Sequence, residues 1–162
     1  MADKKLWAPW RSAFILSQKE KGCVFCNRLK MKDCASNLIL FRGERIFVIL
    51  NKFPYNVGHT MVVPIRHIGV LEKLGSKEAN ELFELTRKTV AVIKRALRPE
   101  SMNLGMNLGR YAGAGVPGHL HMHIVPRWSG DTNFMPVIGK THVVSLPLEP
   151  IYQKIKTEFD RL

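Results

Sequence analysis

Residues 119 to 127 read His-Leu-His-Met-His-Ile-Val-Pro-Arg, and this stretch decides how the whole chain is interpreted. Polar and apolar residues alternate strictly from His119 to Ile124, which is the pattern of a β-strand with two different faces. The alternation predicts that His119, His121 and His123 share one face at a spacing of roughly 6.5 Å, while the apolar residues between them point into a core. Imidazole transfers protons, binds metals and attacks phosphorus near neutral pH, so three imidazoles on one face indicate a chemical site.

This histidine pattern resembles that of the histidine triad (HIT) family of nucleotide hydrolases and transferases. In that family the middle histidine attacks the α-phosphate of a nucleotide and forms a nucleotidyl-histidine intermediate. The resemblance therefore implies that His121 is the nucleophile. Independently of the family, His123, two residues further on, can donate to a phosphate oxygen or protonate the leaving group. The run from Leu50 to Pro64 is similar to the family's first half, which implies that Asn51 holds the ribose hydroxyls.

A loop rich in small residues, from Asn107 to Gly118, directly precedes the triad. Small residues let backbone N–H groups approach an anion closely. The backbone at Gly113 and Gly115 is therefore predicted to bind phosphate, and by resemblance Asn107 orients phosphate. The family usually has Gly-Gln-Ser or Gly-Gln-Thr in this loop, whereas Ala114 and Gly115 stand here. Phosphate contacts are therefore expected from backbone amides rather than from side chains.

Segments on either side of the triad indicate which branch of the HIT family this sequence resembles. The aromatic run Trp7-Ala-Pro-Trp-Arg11, the small-residue loop and the segment after Arg127 resemble the HIT branch that contains bacterial diadenosine tetraphosphate phosphorylases. This resemblance spans roughly residues 6 to 140 and implies action on the α-phosphate of adenine dinucleotides, with inorganic phosphate or water as the second nucleophile. Hydrolysis of purine nucleoside phosphoramidates or other nucleotide conjugates is the alternative within the family. For Trp128, stacking on a base and sealing a subunit interface both remain open.

Cys23 and Cys26 form a Cys-x-x-Cys pair, which in a reducing compartment is half of a zinc site or a redox pair. No apolar strand precedes Cys23, so the context of a thioredoxin-type pair is missing and zinc is favoured. Zinc-containing HIT proteins use the histidine after the third strand and the first triad histidine, which implies His67 and His119 as the other ligands. Two thiolates and two imidazoles form a closed, structural zinc site. Cys34 is interpreted as a buried or idle thiol.

Two zinc-based alternatives belong to other functional classes. The formal net charge of +12 and the Cys/His set suggest a zinc-containing nucleic-acid-binding module. A zinc finger, however, has about twelve residues between its Cys and His pairs, and His67 lies more than three times as far beyond Cys26. A catalytic zinc ion held by all three triad imidazoles fails because they span about 13 Å, whereas each ligand must lie roughly 2 Å from the ion. Nucleotides are therefore the expected anionic partners, and nucleic acid is not.

The hydrophobic periodicity predicts an α+β domain with an antiparallel sheet of about five strands and one long helix across it. The long helix is predicted over residues 76 to 98 and a closing helix over about 148 to 162. The resemblance implies that this is the HIT-like fold and that the sheet continues across a homodimer. The strands are predicted over residues 37 to 41, 45 to 50, 59 to 64, 102 to 108 and 119 to 124.

The length of 162 residues and the 46% hydrophobic composition predict one domain over residues 1 to 162, with an aromatic arm over about residues 1 to 20. No run of about eighteen apolar residues is present, and the N-terminus lacks the apolar stretch of a signal peptide. Three cysteines fit a reducing compartment better than a disulfide framework. We therefore expect a cytoplasmic protein without a membrane partner, in which His142 is a structural or surface residue.

Overall fold

The computed structural model describes residues 21 to 131 and 146 to 162. The aromatic arm and His142 lie outside these residues. Two short 3-10 helices, Leu71–Lys73 and Arg110–Ala112, lie between the main elements. In chain order the main elements are α1 (Val24–Leu29), β1 (Ile39–Arg42), β2 (Ile46–Leu50), β3 (Thr60–Pro64), α2 (Ser76–Leu97), β4 (Ser101–Met106), β5 (Met122–Arg127) and α3 (Leu148–Phe159).

The five strands form one antiparallel sheet in the order β1-β2-β3-β5-β4, which confirms the predicted α+β class and strand number. β1 and β2 form the predicted hairpin. β5 lies between β3 and β4, and His123 is paired with Met61 on one side and Gly105 on the other. This register places the end of the triad in the interior of the sheet rather than at an edge.

The long helix α2 covers one face of the sheet, as the periodicity predicts. Its buried residues include Leu82, Leu85 and Ile93. It ends at Leu97, and the next residue, Arg98, adopts a left-handed conformation just before Pro99. α3 packs on α2 and β1, and the Tyr152 hydroxyl donates a hydrogen bond to a main-chain carbonyl of β1. Every residue of β2 and β3 is buried, so both faces of the central sheet are covered. None of the helices in the described ranges is long and apolar enough to cross a bilayer.

The triad segment differs from the prediction at its start. The strand β5 begins at Met122, three residues later than the alternation indicates. The preceding residues are fixed by loop contacts, because the His119 N–H donates to the Val116 carbonyl and the Leu120 N–H donates to the Ile68 carbonyl. The segment is therefore held outside the strand ladder, which explains the later start. The strand also continues to Arg127, beyond the predicted end at Ile124.

Candidate functional site

The imidazoles lie on the face of the sheet opposite α2, and they divide into two groups. The His121 and His123 rings are in edge contact at 4.7 Å between centroids. The His119 ring instead meets His67 at 4.9 Å. All three triad histidines are buried, with His123 the most accessible at 9%. The single row of three equivalent imidazoles expected from the alternation is thus two sites that share one backbone segment.

The first group is a cluster of two cysteines and two histidines. Cys23 Sγ lies 3.2 Å from His119 Nδ1, and Cys26 Sγ lies 3.4 Å from His67 Nδ1. The four ligand atoms all lie within 4.8 Å of one another. Two ligands bound tetrahedrally to one zinc ion are roughly 3.3 to 3.8 Å apart, so the predicted ligand set is assembled in a geometry that fits a metal ion.

The short helix α1 explains how the two cysteines converge. Cys23 is its N-cap residue and Cys26 lies in its first turn, so the two thiols project from the same side of one turn. Burial, and secondly the neighbouring Cys23, raise the pKa of the Cys26 thiol, an effect that a bound dication opposes. Cys34 is not part of the cluster, as expected. It is exposed and hydrogen-bonded to Ser36, so of the two expected alternatives, a buried or an idle thiol, the buried one is wrong.

The backbone orients His119 toward the cluster. Its Nε2 lies 2.8 Å from the Pro64 carbonyl oxygen, which can only accept, so Nε2 carries the proton. The Nδ1 lone pair is therefore left for a metal. A metal-binding imidazole commonly has its other nitrogen fixed in this way by a carbonyl group.

The backbone also fixes the protonation of His121. Its Nδ1 donates to the His119 carbonyl oxygen at 2.8 Å, so Nε2 is the unprotonated nitrogen. Burial lowers the pKa of His121, which keeps the imidazole neutral at physiological pH. The Phe25 ring covers both His119 and His121, with centroids 5.3 and 5.2 Å away. A neutral, oriented imidazole with a free lone pair can act as a nucleophile.

His123 is held by a fourth histidine, His59, that the sequence reasoning did not select. The Tyr55 N–H donates to His59 Nδ1 at 3.1 Å, and the Asn51 side-chain amide group lies 3.2 Å from the same atom. Because Nδ1 is an acceptor, the proton of neutral His59 is on Nε2, and it donates to His123 Nδ1 at 2.9 Å. The His123 proton is consequently on Nε2, and this atom has no partner among the described residues. This series of hydrogen bonds therefore ends at the Nε2–H group of His123, which is available to donate to a ligand.

The electrostatics agree with neutral rings. Burial, followed by the neighbouring His123 and His121, lowers the pKa of His59 to about 3. Burial, followed by His121, lowers the pKa of His123 to about 4. Desolvation disfavours the charged form of an imidazole, and closely packed histidines oppose each other's protonation. At neutral pH these groups act as directional donors and acceptors, not as cations.

The residues predicted to bind nucleotide occupy different positions around this pair. Asn51 follows β2 and is half-buried; besides its contact with His59, its Oδ1 accepts the Phe53 N–H. Asn107 lines a cavity of about 190 Å³ together with His123 and Tyr55, and its amide group lies 3.5 Å from the Gly113 carbonyl oxygen. Asn51 thus orients His59 in this structure, whereas Asn107 lies beside the reactive imidazole.

The loop before the triad bends where glycine is needed. Gly113 has φ +88°, a left-handed conformation that disfavours side chains. Nothing lies within 4 Å of a side chain added at Gly115, so the backbone there is open on that side. Ala114, by contrast, is buried. The openness of this backbone fits the expected approach of an anion to main-chain amides.

His59 and Tyr55 are the clearest omissions of the sequence reasoning. A signal was present in the sequence, because His59 directly precedes the run Thr60 to Pro64, which is predicted as a strand; the structure shows that both His59 and this strand are buried. Thr60 pairs with Ile124, so His59 lies on the same face as His123. That relation requires the pairing of β3 with β5, which the sequence alone does not supply.

Comparison with known proteins places this site in a family. The family model described as HIT domain matches residues 34 to 130. The chain belongs to the HIT family. AP-4-A phosphorylase of Mycobacterium tuberculosis (strain ATCC 25618 / H37Rv) is 36% identical to it over 167 residues, which cover 98% of this chain and 85% of that protein. Bis(5'-nucleosyl)-tetraphosphatase [asymmetrical] of Schizosaccharomyces pombe is 33% identical over 93 residues, or 57% of this chain and 50% of that protein. The chain is an enzyme of the HIT family.

Solved structures show the same fold. A hypothetical histidine triad nucleotide-binding protein, ST2152 from Sulfolobus tokodaii strain7, has a TM-score of 0.69 and 26% identity, covering 86% of this chain and 93% of that one. A Zn-bound histidine triad family protein from Mycobacterium smegmatis has a TM-score of 0.70 and 22% identity, covering 86% and 94%. These likenesses establish the HIT fold that the resemblance implies.

Proposed function

We propose that this HIT enzyme transfers or hydrolyses nucleotidyl groups by attacking the α-phosphate of adenine dinucleotides such as diadenosine tetraphosphate. The observation that carries the proposal is the pairing of two neutral imidazoles with opposite roles. His121 offers a lone pair on Nε2, and His123 beside it offers an N–H. The similarity to a named AP-4-A phosphorylase over nearly the full chain supports this substrate class.

In the first step, His121 Nε2 attacks the α-phosphorus and a P–N bond forms. The bond between that phosphorus and the bridging oxygen breaks, and its electron pair leaves with the polyphosphate. The N–H of His123 donates to the departing oxygen or to a phosphoryl oxygen, where negative charge develops. A covalent nucleotidyl-histidine divides one difficult displacement into two easier ones.

In the second step, inorganic phosphate or water attacks the same phosphorus and releases His121. We propose that Asn107 and the backbone at Gly113 and Gly115 hold the phosphates, and that Asn51 holds the ribose. Asn51 Oδ1 accepts one N–H in this structure and keeps a second lone pair for a hydroxyl.

Zinc is the metal we propose for Cys23, Cys26, His67 and His119. The donor set and its spacing fit a closed tetrahedral site, whose ion would tie α1 to the segment before β5. No ligand position remains for substrate, so its role is structural.

We also propose that the sheet continues across a homodimer through β4. This strand lies at one edge of the sheet, whereas β1 at the opposite edge is covered by α3. Leu104 on β4 is half exposed. Sedimentation should show a dimer that the variant Leu104→Lys weakens.

The three free thiols support a reducing, cytoplasmic compartment.

Product analysis on diadenosine tetraphosphate, with and without inorganic phosphate, tests the proposed function. ADP plus ATP formed only with phosphate identifies a phosphorylase, and AMP plus ATP formed without phosphate identifies a hydrolase. Absence of products under both conditions would reject dinucleotides as substrates and direct the assay to nucleoside phosphoramidates.

A further inference from the structure

Two cavities on the catalytic face meet at one side chain, Asn103. The smaller cavity, about 190 Å³, contains His123, Tyr55 and Asn107 in its lining. The larger, about 530 Å³, lies beyond it and includes Arg127 and Trp128. Asn103 lines both. The reactive imidazole therefore opens toward a longer groove than a single nucleotide phosphate requires.

The register of β4 on β5 sets the direction of this groove. Gly105 is paired with His123, and Asn103 is paired with Val125. Asn103 is therefore two residues further along the same face, roughly 7 Å from the position opposite the imidazole. A linear ligand that leaves His123 along this face passes Asn103 next.

Arg127 fixes the orientation of the Asn103 amide. Its Nη1 donates to Asn103 Oδ1 at 3.1 Å, and a guanidinium group can only donate, so the Asn103 oxygen faces it. Arg127 is held in turn by two 2.8 Å hydrogen bonds to Asp131, whose charge offsets its own. Over residues 21 to 131 and 146 to 162, no acceptor pairs with Asn103 Nδ2. The exposed Asn103 side chain thus presents N–H donors at the junction of the cavities.

A second donor lies at the catalytic end. His123 is 9% exposed, and its Nε2 is the unpartnered buried side-chain atom noted above. Buried polar atoms are usually hydrogen-bonded, so an orphaned one beside a cavity indicates a ligand. Among the described residues no carboxylate lines the smaller cavity, so the donors of His123 and Asn103 fit a chain of acceptors such as a polyphosphate. In the larger cavity, Asp131 is paired with Arg127, and Glu100 is also part of the lining.

We infer that Asn103 is a leaving-group specificity residue. Its amide donates to non-bridging oxygens of the polyphosphate that departs when His121 takes the nucleotidyl group, and the larger cavity receives the part beyond those phosphates. The inference rests on the proposed function and deepens it. Asn103 makes and breaks no bond; the P–O bond cleaves at the α-phosphorus, and the proton comes from His123. The subsite favours substrates with a long anionic leaving group over those that release a small amine.

Steady-state kinetics on two substrates test this inference. With diadenosine tetraphosphate, Asn103→Ala should lower kcat/KM by roughly 10- to 100-fold, the loss expected for one hydrogen bond to a charged group. Asn103→Asp should lower it further by repulsion. With adenosine 5'-phosphoramidate, both variants should stay within about threefold of the wild type. Asn80→Asp, the same chemical change at an exposed position on α2, is the control and should leave both substrates unaffected. Equal losses on both substrates, or none on either, would overturn the inference.

Binding measurements distinguish a failure of this inference from a failure of the proposed function. In the unreactive His121→Asn background, calorimetry with diadenosine tetraphosphate and with AMP compares a ligand that reaches Asn103 with one that does not. Adding Asn103→Ala should weaken only the tetraphosphate, by roughly tenfold or more. If the wild type turns over neither substrate but this selective loss persists, the proposed reaction fails and the subsite stands. If turnover occurs and the tetraphosphate binds equally with and without Asn103, the reaction stands and the subsite fails.

Discussion

The Cys/His cluster and the proposed catalytic pair, His121 and His123, use the same side chain, imidazole, in two different ways on one face of the sheet. In the cluster, His67 and His119 each turn Nδ1 toward a cysteine sulfur. In the catalytic pair, His121 is bonded to a carbonyl and His123 to another histidine. The comparison shows that the partner of one ring nitrogen decides what the other nitrogen can do, so equivalent positions in a sequence pattern acquire unlike roles.

The largest effect should come from removing the nucleophile. His121→Asn should lower nucleotidyl transfer by about 10⁴-fold or more, because no other described group offers an unprotonated nitrogen beside the His123 N–H. Metal content and nucleotide binding should be retained. The corresponding change in the Cys/His cluster is His67→Asn. This variant should lose the metal but keep the His121 nucleophile. Turnover that survives His121→Asn would refute the proposed intermediate, which mass spectrometry of the quenched wild-type enzyme can detect directly.

Removing a thiol from the cluster should act mainly on stability. Cys26→Ser should abolish zinc binding and lower the free energy of unfolding by roughly 3 to 5 kcal/mol, since a structural ion contributes its binding energy to folding. Denaturant unfolding with and without a chelator, together with metal analysis, measures both effects. Cys34→Ser is the matched control, because Cys34 is exposed and outside the cluster. A purified wild type without metal, whose stability ignores chelators, would end the zinc proposal.

Much of this arrangement could be predicted from the sequence, because its signals are local. The α2 residues recur at helical spacing, and β2 and β3 are short apolar runs bounded by turn residues, so these elements lie where expected. The fold also brings together the four residues predicted as metal ligands, but that group came from family resemblance rather than from spacing. Residues that can bind metals or react, such as Cys and His, can be recognised from the sequence alone when they recur in a regular pattern.

What the sequence did not supply depends on contacts between distant segments. The start of β5 is set by Ile68, which pairs with Leu120 outside the ladder. The role of His59 depends on strand pairing, and the orientation of Asn103 depends on Arg127 from the neighbouring strand. The six-residue helix α1 is too short to give a periodic signal. In each case the decisive partner lies on another element.

Acid should destabilise the catalytic group because its histidines are buried as neutral rings. The pKa of His59 is about 3 in the folded protein, against an ordinary value of 6.5. Between these values the unfolded chain binds the proton more readily, so this contribution is intact above about pH 6.5 and is lost progressively as the pH falls toward 3. By pH 4 the loss should be on the order of 3 kcal/mol. The lowered pKa of the neighbouring His123 should also reduce stability as the pH falls.

Urea unfolding at several pH values measures this dependence, and His59→Gln provides the comparison. The metal ligands also titrate in acid, but they are common to both proteins, so the difference between the two curves isolates His59 and its coupling to His123. The variant should lose stability less steeply between pH 6.5 and pH 4. Parallel curves would mean that burial does not hold His59 neutral.

The smallest effect should come from changing the partner of His123 while leaving the reactive nitrogens in place. His59→Leu removes the donor that holds the proton of His123 on Nε2, so the proton can move to Nδ1 and the ligand-facing donor is lost. We expect kcat to fall by roughly 10- to 100-fold, as for other groups that orient a reactive side chain. His59→Gln carries a side-chain amide that can donate to the same atom, and it should recover most of the activity. Because both variants remove the imidazole, rescue by glutamine alone would assign the effect to the hydrogen bond, whereas equal losses would assign it to packing against Tyr55.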